Sequence, residues 1–84
     1  MKLWLLREKK GAPYKGEIAT LCAVLIRAET EQDARAEANA VAVNYRSRDV
    51  GEYPEYWLNP EWVGCEEVTA DGPPKVLIVD FNYA

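Results

Sequence analysis

The sequence contains no histidine, one serine (Ser47), one phenylalanine, one methionine and two cysteines. Without histidine, the commonest acid–base group near neutral pH and the commonest zinc ligand are both missing. Ser47 has no imidazole to activate it, which excludes a serine hydrolase, and a thiol hydrolase built on Cys22 or Cys65 lacks the same partner. Gly11 and Gly16 are isolated, and no Lys-Ser or Lys-Thr pair follows either, so there is no phosphate-cradling loop or dinucleotide fingerprint. Cys22 and Cys65 form no C-x-x-C pair and each lies in an apolar or strand-like run, the setting of buried free thiols rather than of a disulfide or a metal site. These absences lead to a reading as a non-enzyme that needs no cofactor and no metal.

Long apolar runs are lacking too. The opening Met1 to Leu6 is cut off by Arg7, Glu8, Lys9 and Lys10, too soon for a signal segment or a membrane span, and the expected location is the cytoplasm. What is present is the composition of one globular domain over residues 1–84: 49% apolar, 29% charged, with three Trp, five Tyr and one Phe.

The pattern along the chain predicts a single small α+β domain of order β-β-α-β-β, one helix packed on an antiparallel four-stranded sheet. Leu3 to Leu6 is apolar without alternation, as in a central strand covered on both faces. Residues 8–17 hold Gly11, Pro13 and Gly16 among lysines and read as a wide hairpin loop, and Ile18 to Ala28 reads as the second strand. Thr30 is placed to cap a helix by accepting the Asp33 N–H, with Glu31, Asp33 and Glu29 at the positive end of the helix dipole and Glu31 one turn before Arg35. Ala34, Ala38, Val41, Ala42 and Tyr45 draw one stripe along that helix, small enough to lie close on a sheet. Cys65 to Thr69 alternates like a half-exposed strand, Asp71-Gly72-Pro73-Pro74 is a turn, and Lys75 to Phe81 reads as a second central strand, adjacent to the first, with the other two strands outside. One helix covers only one face of such a sheet. The other face is left to the aromatic segment 53–62, to a second subunit of a homodimer, or to a partner.

Three constellations are candidates for binding. The basic loop Arg7, Lys9, Lys10 and Lys15 with Tyr14, joined in the nucleotide reading by Arg46 and Arg48, combines positive charge with a stacking ring and suits a nucleotide or phosphate. Tyr53, Tyr56, Trp57 and Trp62, interleaved with Glu52, Glu55 and Glu61, have the make-up either of an interface hot spot or of a packed flap. The third is acidity: residues 1–48 sum to +3 and residues 49–84 to −7, which admits a nucleic-acid mimic if the acids share one surface. Direct binding of nucleic acid is not expected, because the net charge of −4 repels phosphate. Glu66 and Glu67, adjacent in a strand, point to opposite faces and cannot form one catalytic pair.

Three stretches carry a family resemblance: Lys2-Leu3-Trp4-Leu5-Leu6-Arg7, then Arg27-Ala28-Glu29-Thr30-Glu31 with Ala34-Arg35, then Cys65-Glu66-Glu67-Val68-Thr69 with Asp71-Gly72 and Asp80-Phe81. In that order they resemble a family of small uncharacterised proteins of bacteriophages and prophages, as does Trp57-Leu58-Asn59-Pro60. The family pattern has a Trp-, Pro- and Tyr-containing segment before the second strand, where this chain has Ala12-Pro13-Tyr14-Lys15-Gly16. The resemblance implies a viral protein acting in the host bacterial cytoplasm. Small acidic phage proteins without enzymatic machinery are often inhibitors of host defence, anti-CRISPR proteins among them. The leading expectation is therefore protein–protein binding to a host defence protein through Tyr53, Tyr56, Trp57, Glu61 and Trp62. The alternatives are a sponge for a nucleotide immune signal, held by Arg7, Lys9, Lys10, Tyr14, Arg46 and Arg48, and a phage accessory or morphogenesis protein.

Overall fold

The computed structural model describes residues 1–79. Strand β1 (Lys2–Glu8) is central, flanked by β2 (Ala23–Ala28) and β3 (Val63–Val68) in the order β2-β1-β3, both antiparallel to it. Its register sets Leu6 opposite Val24 and Cys65, and Leu5 opposite Leu25 and Glu66. Between β2 and β3 run helix α1 (Glu31–Asn44), the short helix α2 (Arg48–Glu52) and a 3-10 turn at Tyr56–Leu58. The chain is α+β, with one principal helix on an antiparallel sheet. That sheet has three strands among the described residues, not the four expected.

The missing strand is the one expected at Lys75 to Phe81. Residues 75–79 form no regular element and are exposed, and Asp80 and Phe81 lie outside the described residues. The apolar run Val76 to Val79 has β propensity, but the place expected for it beside β1 is taken by β3, which pairs with β1 from Leu3 to Glu8. β2 is also shorter than expected, starting at Ala23 rather than Ile18.

Helix α1 begins as its sequence dictates: the Thr30 hydroxyl accepts the Asp33 N–H at 3.1 Å, and the Arg35 guanidinium meets Glu31 at 2.9 Å. It ends in a Schellman turn, with Ser47 N–H bonded to the Ala42 carbonyl, Arg46 N–H to that of Val43, and Arg46 in the left-handed region at φ 55°. Ala34, Ala38 and Ala42 are fully buried and bring the helix close to the sheet. Tyr45 departs from the expected stripe. It lies at the helix C-cap, where the chain turns away, and is 76% exposed.

The two faces of the sheet differ. On the helix face, Leu6 and Val63 are fully buried with the alanines, Tyr56 and Trp57 in one apolar core. The aromatic segment therefore packs beside α1 and does not cover the second face. There Leu25 is 59% exposed, while Leu5 is covered to 3%. The Arg7 guanidinium reaches from the second face to the Leu77 carbonyl at 3.2 Å, so the chain around Leu77 lies on this side of the sheet.

The charged halves of the sequence interleave in space. Arg7 pairs with Glu66 at 3.2 Å and Lys2 with Glu67 at 3.8 Å, joining bases of β1 to acids of β3 on opposite faces of the sheet. Among the described residues no helix is long and apolar enough to cross a membrane.

Candidate functional site

Residues 53–62 follow α2 and are fixed to the helix by one side chain. The Asn39 amide donates to the Pro54 carbonyl at 2.9 Å, and its oxygen accepts the Trp57 N–H at 3.1 Å. This clamp divides the segment. Tyr56 and Trp57 turn inward and are fully buried, whereas Tyr53 and Trp62 are half-buried, and Glu55 and Glu61 are exposed.

Each inward ring is anchored by a buried carboxylate. The Trp57 indole N–H donates to Asp49 at 3.0 Å, and Asp49 also accepts the Val50 N–H at 2.6 Å. The Tyr56 hydroxyl donates to Glu8 at 2.5 Å and accepts the Tyr14 N–H at 3.2 Å. Burial pushes the Glu8 carboxyl above its ordinary range, partly offset by the Tyr56 hydrogen bond. Burial and the Glu8 hydrogen bond likewise push the Tyr56 phenol up, so it stays a donor. Tyr56 and Trp57 were expected on a binding surface, yet in this fold they are core. Asn39, Asp49 and Glu8 were not singled out from sequence. Glu8 fell in the expected loop 8–17, whereas β1 runs on through Glu8 and places it on the same face as Trp4 and Leu6.

Tyr14 belongs to the same aromatic group rather than to a basic pocket. Its ring lies 6.2 Å from those of both Tyr53 and Tyr56, edge-on, with the Arg48 guanidinium 5.6 Å from its centroid. Its hydroxyl donates to Glu52, which raises the phenol's pKa. Arg7 is held by Glu66 and the Leu77 carbonyl, Arg46 occupies the left-handed position after α1, and Lys9 and Lys10 are exposed. Arg7 does line a cavity of 480 Å³ with Lys15, Cys22 and residues 78–79, which the other five members of the expected nucleotide set do not line. Cys22, expected to be buried, is exposed there. Cys65 is half-buried, and burial raises its thiol pKa, as for an inert structural cysteine.

The outward half of the segment forms the candidate interface. Tyr53 and Trp62 meet edge to face, with centroids 4.7 Å apart and planes at 68°, forming an aromatic corner, and Tyr56 backs Trp62 at 5.2 Å. An open cavity of 640 Å³ lies against this corner, lined by residues 53–55, residues 58–60 and Trp62. Its one ionisable carboxylate is Glu55, and no lysine or arginine lines it. Neither Glu55 nor Glu61 forms an ion pair among the described residues. Among those residues, too, no cluster of three or more Cys, Asp or Glu side chains is arranged to hold a metal ion.

No family model matches the chain, and no curated protein or solved structure is significantly similar to it.

Proposed function

We propose that this chain is a non-enzymatic binding protein that acts by occupying a surface of another protein through the outward half of its aromatic segment. The observation that carries the reading is the open cavity at the Tyr53–Trp62 corner, whose walls are aromatic and proline side chains and whose charge is acidic. Large aromatics at the centre of a polar rim are the composition of interface hot spots. With the resemblance to small phage proteins, the target is read as a component of a bacterial antiviral defence system, and the protein as an inhibitor of the anti-CRISPR kind. Sequestration of a nucleotide signal has less support, since Arg7 and Arg48 are engaged within the chain and, of the expected basic residues, only Arg7 and Lys15 line one cavity.

The test is capture of the tagged chain from a defence-competent host, alongside plating of a phage that the host restricts. The wild-type chain should retain one host protein in near-stoichiometric amount and restore plaques. The double variant Glu55→Arg, Glu61→Arg should lose both at unchanged melting temperature, because both side chains are exposed. Equal capture by the two forms would remove this surface from consideration. Trp57→Ala is unsuitable here, as it removes core.

A further inference from the structure

The cavity at the Tyr53–Trp62 corner has a chemistry that selects its occupant. Tyr53 and Trp62 meet edge to face at 68° and both line one volume, which gives it aromatic walls. Glu55 lines that volume, and Glu61 stands between the lining residues Pro60 and Trp62 in the sequence. From Asp49 to Trp62 the sequence holds four acids and no lysine or arginine, and one of the four, Asp49, is buried and committed to Trp57. The exposed charge of the segment is thus wholly negative. Such a site repels a phosphate or a carboxylate, and it attracts a cation able to lie flat on an aromatic face.

Among protein side chains that group is the guanidinium of arginine: planar, weakly hydrated, and able to stack on one surface while bonding a carboxylate edge-on. The chain already sets one guanidinium over an aromatic ring, with Arg48 5.6 Å from the Tyr14 centroid. The cavity's 640 Å³ exceeds one side chain and is the size of a short peptide segment.

We infer that the Tyr53–Trp62 cavity is an arginine-reading site, which takes a short extended segment of the partner protein with its guanidinium in the aromatic corner and paired with Glu55. This rests on the binding-protein reading above and names the chemistry of its contact.

The test uses the intact chain and two probes, acetyl-Gly-Arg-Gly-amide and the same peptide with citrulline, which keeps the shape and removes the charge. The indole N–H of Trp62 is followed by NMR up to about 20 mM peptide, a range that reaches affinities of a few kcal/mol. The arginine peptide should shift the Trp62 signal saturably, and citrulline should bind about tenfold more weakly, as expected for losing a partly desolvated cation–aromatic contact. Glu55→Gln should weaken the arginine peptide several-fold with no change in melting temperature. Equal response to both peptides, no response at Trp62, or undiminished binding by Glu55→Gln would each overturn the inference. Should host-protein capture remain sensitive to the Glu55→Arg, Glu61→Arg pair while the peptides fail, the interface stands and its arginine chemistry falls. Should capture be insensitive as well, the binding-protein reading falls with it.

Discussion

Between Tyr53 and Trp62 the chain makes two unlike uses of aromatic side chains. Tyr56 and Trp57 are enclosed, and each polar atom is consumed by a buried carboxylate, Glu8 or Asp49. Tyr53 and Trp62 sit a few residues away with their rings partly in solvent and acids beside them that have no ion pair among the described residues. The inward pair spends its surface on stability and the outward pair keeps its surface available. On the proposed function, folding and binding fall to different residues of one short segment, and they should be separable by mutation.

Trp57→Ala gives the largest expected effect. Loss of a fully buried indole costs about 3–5 kcal/mol, and Asp49 is left without one of its donors. That is most of the stability of a domain this size, so urea denaturation followed by circular dichroism should find the variant largely unfolded. Near-wild-type unfolding would mean that the inward half is not the anchor.

Asn39→Ala comes next, because it removes both bonds of the clamp that orients the segment. A loss of about 1–3 kcal/mol in the same assay is expected.

A smaller effect concerns Glu8. Its folded-state pKa is raised above the ordinary 4.5, so the folded state holds this proton more tightly than the unfolded state does. The stabilising contribution is fully present below about pH 4.5 and is lost as pH rises through the folded value. Glu8→Gln keeps an oxygen for the Tyr56 hydroxyl and has no such titration. The stability of the wild type minus that of the variant should therefore fall as pH rises from 4.5 toward neutrality. A difference that stays flat with pH would show that Glu8 is not desolvated.

The smallest stability change belongs to the outward half. Glu55→Gln should leave the unfolding free energy within about 0.5 kcal/mol of wild type, while arginine-peptide binding weakens. A large destabilisation would erase the division between the halves.

The parts of this architecture legible in the sequence are those encoded locally. Thr30, Asp33, Glu31 and Arg35 state the start of α1 within six residues, and they form the bonds their spacing implies. The unbroken apolar run Leu3 to Leu6 states that β1 is central, which its two neighbours bear out. Val76 to Val79 carries the same pattern and yet forms no strand, because a strand also needs a free edge to join, and both edges of β1 are taken by β2 and β3. Within residues 53–62 there is no period, so nothing local tells an inward ring from an outward one. That choice is made by Asn39, Asp49 and Glu8, which lie between 8 and 48 residues from the rings they hold. The aromatic segment, one of the covers expected for the face opposite α1, went to the core instead, and Leu5 lies on the side where Arg7 meets the Leu77 carbonyl.

The position of β1 between its two neighbours also bears on how the domain assembles. Arg7 meets Ala23 across a span of 16 residues, whereas Glu8 meets Val63 across 55. Closing the longer loop from an open chain costs about 1 kcal/mol more in conformational entropy. The β1–β2 ribbon is thus the cheaper first encounter. With α1 already initiated by its own cap, helix and ribbon together leave an incomplete sheet edge and an unfilled core until Trp57 and Val63 arrive. The core is closed by the segment that also carries the outward rings, so the Tyr53–Trp62 cavity exists only on chains that have finished folding.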